Sequence, residues 1–222
     1  MLYNPTIPLY WDEDMAYIFG LLLGDGSLPR TKSVRPNGKY QKRYLIYFFS
    51  NSKDFLDKVY IPLFTKLFSL SPHTTLVKNK KNPLYNCKIE SKLLYNFLKN
   101  SGYTVGRKAK IATIPKIPKK YRPYLLAGLL DTDGGKKGNG FGLSTASKHF
   151  ASFCINVFKD LNIPYTSCPW YYKGHVYHQI YVKGSKIHSL NKIPLRNHEK
   201  IDFIKSKSAF VAQPGQSTTL VS

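Results

Sequence analysis

Ile18-Phe19-Gly20-Leu21-Leu22-Leu23-Gly24-Asp25-Gly26 decides the reading of this chain, because its pattern returns as Leu126-Ala127-Gly128-Leu129-Leu130-Asp131-Thr132-Asp133-Gly134. The lag is 133 − 25 = 108 residues, about half of the 222-residue chain, so each half builds its core on the same element. Both copies read as the last turns of an apolar helix that stops at Asp-Gly. Gly20 and Gly24, like Gly128 and Thr132, lie four apart and share a helix face. Glycine inside a helix costs roughly 0.5–1 kcal/mol relative to alanine. Two small residues on one face make sense where a second backbone approaches closely, and the obvious partner is the other copy. Packed that way, the helices bring Asp25 and Asp133 together at two C-terminal ends that already carry partial negative charge. A divalent cation would neutralise such a cluster.

The second copy, LAGLLDTDG, resembles the signature of the LAGLIDADG homing endonucleases, with Leu130 in place of Ile and Thr132 in place of Ala. The first, IFGLLLGDG, is looser, with Leu23 where the family has its first acidic residue. The resemblance implies an α+β fold of two pseudo-symmetric αββαββα halves. Their antiparallel sheets form a DNA-binding saddle and the motif helices pack at the centre. It implies a monomer that hydrolyses phosphodiesters at a long, specific double-stranded DNA site, encoded in an intron or intein. Asp25 and Asp133, with Gly24 and Thr132 beside them, form the implied metal set for two or three Mg²⁺ or Mn²⁺ ions. Lys136 and Lys108 are the implied basic catalytic residues. Lys110, Ser50, Thr145 and Lys200 are looser equivalents. Asp131, two residues from Asp133, points elsewhere on the helix and reads as structural. An RNA maturase acting on its host intron and a non-cleaving DNA-binding regulator are the alternatives. A pure binder, however, has no use for two acids facing phosphates.

Charge agrees with a nucleic-acid partner. Lys and Arg number 34 against 12 Asp and Glu, a net charge of +22, with a sequence pI near 9.8. That excess calls for a polyanion. No apolar run approaches the roughly 18–20 residues of a spanning helix, and no signal peptide opens the sequence. Cys87, Cys154 and Cys168 lack metal-ligand spacing and read as reduced thiols. The expected setting is therefore intracellular, a prokaryotic cytoplasm or organelle matrix, with no membrane partner.

Patterning divides the chain into a first half at 1–105, a basic proline-bearing linker at 106–120, a second half at 121–212 and a polar, disordered tail at 213–222. Asp12 or Asp14 caps the first motif helix. Asn37-Gly38 marks a hairpin leading to a strand over Tyr44–Phe49. A helix over Lys53–Phe68 is kinked or divided by Pro62. Strands at Thr74–Asn79 and Leu84–Glu90 precede a helix opening at Ser91. In the second half a strand at Phe141–Thr145 and a helix from Ser147 precede a hairpin, Tyr165–Tyr172 and His175–Val182, turning at Lys173-Gly174. Short helices at Ser185–Asn191 and His198–Ser206 follow. Basic residues gather in hairpins: Lys32, Arg35, Lys39, Gln41, Arg43, Lys78, Lys80, Lys81, Lys137, Lys173 and His175 are the candidate DNA contacts. Gln41 and Arg43 share a strand face, suited to reading adenine and guanine in the major groove. Lys80 and Lys81 suit phosphates. Trp170, Tyr171 and Tyr172 could stack on bases, although period-2 alternation assigns at least one of them to the core.

Overall fold

The computed structural model describes residues 5–34, 36–78, 80–105 and 113–212. Arg35, Lys108, Lys110 and the tail from 213 therefore lie outside the described residues, as do residues 106–112 of the expected linker.

The first motif lies in α1 (Glu13–Asp25), capped by Asp12, whose side chain accepts from the Met15 amide at 2.6 Å. The second lies in α5 (Arg122–Asp133), opened by Pro123 in its first turn. Met15–Leu23 of α1 and Leu125–Asp131 of α5 are buried throughout. The two helices touch backbone to backbone. A Cβ on Gly20 would lie 2.1 Å from the Leu125 carbonyl oxygen, and one on Gly128 would lie 2.3 Å from that of Tyr17. Gly24 faces Thr132 Oγ1, which a Cβ would meet at 2.0 Å. The small-residue faces are thus spent on each other, as the repeat predicts.

A sheet flanks each motif helix. In the first, β1 (Gly26–Ser27) and β2 (Arg30–Val34) both pair antiparallel with the long β3 (Tyr40–Ser50). Their ladder breaks only at Leu28-Pro29, where Pro29 lacks an N–H but still accepts from the Leu45 amide. β4 (His73–Leu76) and β5 (Tyr85–Glu90) complete the order β1-β3-β5-β4. The second sheet runs β6-β7-β9-β8, from β6 (Gly135–Lys137), β7 (Gly140–Thr145), β8 (Thr166–Tyr172) and β9 (His175–Val182). Ile46, Phe48, Cys87 and Ile89 in the first sheet, and Phe141, Leu143, Ile180 and Val182 in the second, turn to the core. Helices α4 (Lys92–Asn100) and α6 (Lys148–Asp160) begin at Ser91 and Ser147, each side chain accepting the amide three residues on.

Three details differ from the pattern-based expectation. The Asn37-Gly38 hairpin is real, but Val34 pairs with Tyr40, so its loop is five residues long. Asn37 Oδ1 accepts from the Lys39 amide and Gly38 takes φ +75°. The helix at 53–68 is α2 (Lys53–Phe55), a π-helical turn (Leu56–Tyr60) and α3 (Ile61–Phe68). The irregularity precedes Pro62: the Ile61 amide reaches back to Leu56, and the extra residue makes room for a ring that would strike the preceding turn. Finally, Gly184–Lys192 is a 3₁₀ helix, and α7 runs from His198 to Ala212, beyond the expected Ser206.

Candidate nucleic-acid interface and metal centre

The matched ends of α1 and α5 set the geometry. Neither Gly26 (φ −84°) nor Gly134 (φ −71°) is left-handed. Glycine is needed because a Cβ would lie 2.4 Å from the Leu22 oxygen, or 2.3 Å from that of Leu130. Each glycine N–H instead closes onto that carbonyl, and the chain leaves straight into β1 or β6. Asp25 is half-buried and Asp133 exposed, one at each helix end.

A second donor reaches each of those carbonyls, and here the halves part. The Tyr103 hydroxyl donates to the Leu22 oxygen at 2.9 Å. Lys200, on α7, places Nζ 2.7 Å from the Leu130 oxygen and 2.8 Å from that of Thr132. Burial lowers the Lys200 pKa to about 8, against the opposing pull of Asp131, Asp25, Asp133 and Glu199. Tyr103 is buried, which raises its pKa and keeps it neutral.

Asp131 explains how a residue so late in the chain reaches this place. Its Oδ2 accepts the Tyr17 hydroxyl at 2.6 Å, the Arg196 amide at 2.7 Å and the Asn197 amide at 3.1 Å. Burial raises its pKa, and those hydrogen bonds with the Lys200 charge oppose the rise. Arg196 lies over the Tyr17 ring and donates Nη2 to Asp14 Oδ1 at 2.8 Å. Asp14, which burial would raise, is held low by Lys66 and Arg196. Asp131 is structural: it clamps the start of α7 across both motif helices and so delivers Lys200. Tyr103, Tyr17, Arg196 and Asn197 carry no periodic signal that would mark them in the sequence.

The other candidates sort by position. Lys136 is exposed and lies in register with the buried Phe141, and Lys137 is half-buried, which lowers its pKa. The Thr132 hydroxyl donates within the helix to Gly128 and Leu129, and its carbonyl accepts the Lys200 ammonium. Ser50 and Thr145 are not spare polar groups at the strand ends; their hydroxyls accept the amides of Ser52 and Ser147, setting the turns into α2 and α6. Gln41 and Arg43 do share a face, opposite Ser33 and Thr31, whereas Lys32 lies opposite Lys42 on the other face. Arg43 is gripped bidentately by Glu90, with Nε 3.0 Å from both carboxylate oxygens. It can address a base only by loosening that pair. Lys39, Lys78, Lys80 and Lys81 are exposed in loops.

The aromatic run stands outside the core, against the expectation from alternation. Trp170, Tyr171 and Tyr172 are 44%, 73% and 48% exposed, so none enters the core. Beyond His178, where pairing with β7 ends, the β8–β9 pair has no buried residue and projects as a two-stranded ribbon. Lys173 (φ 46°) and Gly174 (φ 72°) make its tight turn.

The donor set fits a hard divalent cation. Two carboxylates stand at adjoining helix ends, and among the described residues no group of three or more His, Cys, Asp or Glu side chains could hold an ion. An ion there would complete its shell from water and phosphate, which Mg²⁺ accepts and Zn²⁺ in a closed site does not. Among the described residues no helix is long and apolar enough to cross a membrane.

No protein-family model matches the chain. No curated protein matches it either. Solved structures do. I-DmoI in complex with DNA and Ca is 18% identical and superimposes with a TM-score of 0.62 over 89% of this chain and 96% of that one. I-DmoI with DNA and Mn is 17% identical, with a TM-score of 0.58 over 82% and 96%. The meganuclease I-SmaMI bound to uncleavable DNA is 10% identical, with a TM-score of 0.58 over 90% and 91%. The shared feature is the architecture: two antiparallel sheets around a central helix pair.

Proposed function

The fold is that of the LAGLIDADG homing endonucleases, and from it we propose that this protein is a monomeric, site-specific double-stranded DNA endonuclease dependent on divalent metal and carried by an intron or intein. The observation that carries the reading is the matched placement of Asp25 and Asp133 at the ends of two helices in backbone contact. A helix pair needs no acid at that point for packing, and like charges there oppose association.

Asp25 and Asp133 would hold Mg²⁺ or Mn²⁺, which when bound polarises water and steadies the attacking and leaving oxygens of an in-line displacement. The residues of the chain do the rest. Each aspartate faces one strand, and the sheets hold the duplex so that the scissile phosphates lie over the helix ends. Water attacks phosphorus and the bond to the 3′-oxygen breaks. Lys200, fixed by two carbonyls, offsets charge on the phosphoryl oxygens at the Asp133 end, and Lys136 adds to it from β6. Lys39, Lys78, Lys80 and Lys81 supply phosphate contacts, and Gln41 a base contact.

The test is cleavage and binding of the uninterrupted host locus by the purified protein in Mg²⁺, Mn²⁺, Ca²⁺ and EDTA. Cutting is expected in Mg²⁺ and Mn²⁺. Tight binding without cutting is expected in Ca²⁺, whose longer, looser ligation polarises water less. Robust cutting in EDTA would overturn the metal reading.

A further inference from the structure

The β8–β9 ribbon carries more than duplex cleavage requires. Trp170 and Tyr172 lie two residues apart on one face, their rings stacked with centroids 5.4 Å apart at 20°. Tyr177, opposite Trp170 in the ladder, joins them at 5.5 Å. Lys173 holds its ammonium 5.3 Å from the centre of the Tyr172 ring, and His175 pairs with Tyr172 on the same face. From Thr166 to Val182 the ribbon contains no acidic residue. Among the described residues the tip has no buried side chain, so these rings are not the edge of a core; they are exposed or half-exposed side chains arranged as a short ladder beside an ammonium and an imidazole.

Such a ladder offers ring faces, and a duplex has almost none to meet them. Paired bases cover one another's faces and present only edges in the grooves. The face of a base becomes available when it is unpaired, and exposed aromatics flanked by Lys are how single strands are gripped without sequence preference. The first-half counterpart contrasts with it. The loop joining β4 and β5 carries Lys78, Lys80 and Lys81, with no aromatic residue from Val77 to Leu84, and suits phosphates.

We propose that Trp170, Tyr172 and Tyr177, with Lys173 and His175, form a stacking platform for unpaired nucleobases of a single-stranded nucleic acid. This binding goes beyond the endonuclease reading and does not depend on cleavage, so it is measured in EDTA. The chain has two tryptophans, and Trp11 is half-buried edge-on against Phe19, so quenching at the ribbon is assigned by substitution. The full-length protein is titrated with (dT)₂₀, (rU)₂₀ and a 20-base-pair dA·dT duplex while tryptophan emission is followed. Both single strands should quench emission, the duplex much less, and W170F should remove the quenching where W11F keeps it. W170A/Y172A should weaken (dT)₂₀ binding at least tenfold and duplex binding less than twofold, with an unchanged circular dichroism spectrum. Comparing (dT)₂₀ with (rU)₂₀ tells whether the sugar matters. Equal quenching by duplex and single strand would overturn the proposal. So would single-strand binding that survives W170A/Y172A, or a concentration-dependent dimer that W170A dissolves, since the rings would then be covered by a second copy.

Discussion

The ends of α1 and α5 are built on one plan and finished with different chemistry. In both, an Asp-Gly pair stops the helix and a glycine N–H closes onto a leucine carbonyl. At Leu22 the second donor is the neutral hydroxyl of Tyr103; at Leu130 it is the ammonium of Lys200, which also holds Thr132. One residue before each small position, Leu23 is buried as ordinary core, whereas Asp131 binds the start of α7. Backbone approach demands symmetry, because each glycine is needed by the other helix. Side chains beyond the contact are under no such demand. The two acid ends can therefore share a scaffold while differing in the donor, hydroxyl or ammonium, that meets the leucine carbonyl.

The largest test is whether both ends are needed at all. Asp25→Asn and Asp133→Asn should each lower double-strand cleavage by about 10²–10³-fold or more, with folding and DNA affinity kept. Full cutting by either variant would dissolve the two-ended site.

Sharper is the Lys200 and Tyr103 pair. On a supercoiled plasmid bearing the uninterrupted locus, Lys200→Met should slow one strand by up to about 10²-fold and leave nicked circles, whereas Tyr103→Phe should leave both strand rates near wild type. Equal loss on both strands would mean that the two ends share the lysine. Stability gives an independent reading. The folded chain releases the Lys200 proton near pH 8, the unfolded chain near the ordinary value of 10.5. Between those values the unfolded state binds more protons, so stability gains a Lys200 contribution as pH rises through this window. Urea midpoints of Lys200→Met should lack that gain.

The symmetric part of the comparison is tested by its glycines. Gly20→Ala and Gly128→Ala drive a methyl into backbone and should lower stability by about 1–3 kcal/mol or more. Gly24→Ala meets the Thr132 side chain, with Oγ1 at 2.0 Å and Cβ at 2.7 Å; rotation relieves only the first, so it should still lower stability in urea unfolding, though by less than a methyl driven against a carbonyl oxygen. The reverse order would mean that the helices yield more readily than a threonine side chain.

The smallest effect concerns the hairpins. Lys80→Ala and Lys81→Ala should each flatten the slope of log K against log salt by up to about one unit on any duplex. A change in sequence preference instead would assign those lysines to bases.

What the sequence carried plainly was whatever is encoded locally or by repetition. The motif helices are marked twice, and the β8–β9 hairpin is marked by alternation and by Lys173-Gly174, so both emerge close to their observed bounds. Lys200 was a distant equivalent at best, because its position depends on Asp131 capturing amides 65 and 66 residues later. Tyr103 was invisible for the same reason. The Arg43–Glu90 grip needs the register of β3 on β5, which no spacing of 47 residues announces. The exposed aromatics escape the sequence because alternation tells which face a residue takes, but not whether anything lies behind that face.

The clamp at Asp131 also puts the molecule in order of time. A chain synthesised only as far as Pro194 already holds both aspartates, both sheets and Tyr103, with the α1 end complete. At the α5 end, Leu130 and Thr132 still lack their ammonium, and Asp131 lacks the two amides it later accepts. A nascent chain therefore holds both sheets before it acquires Lys200, which α7, made after them, supplies.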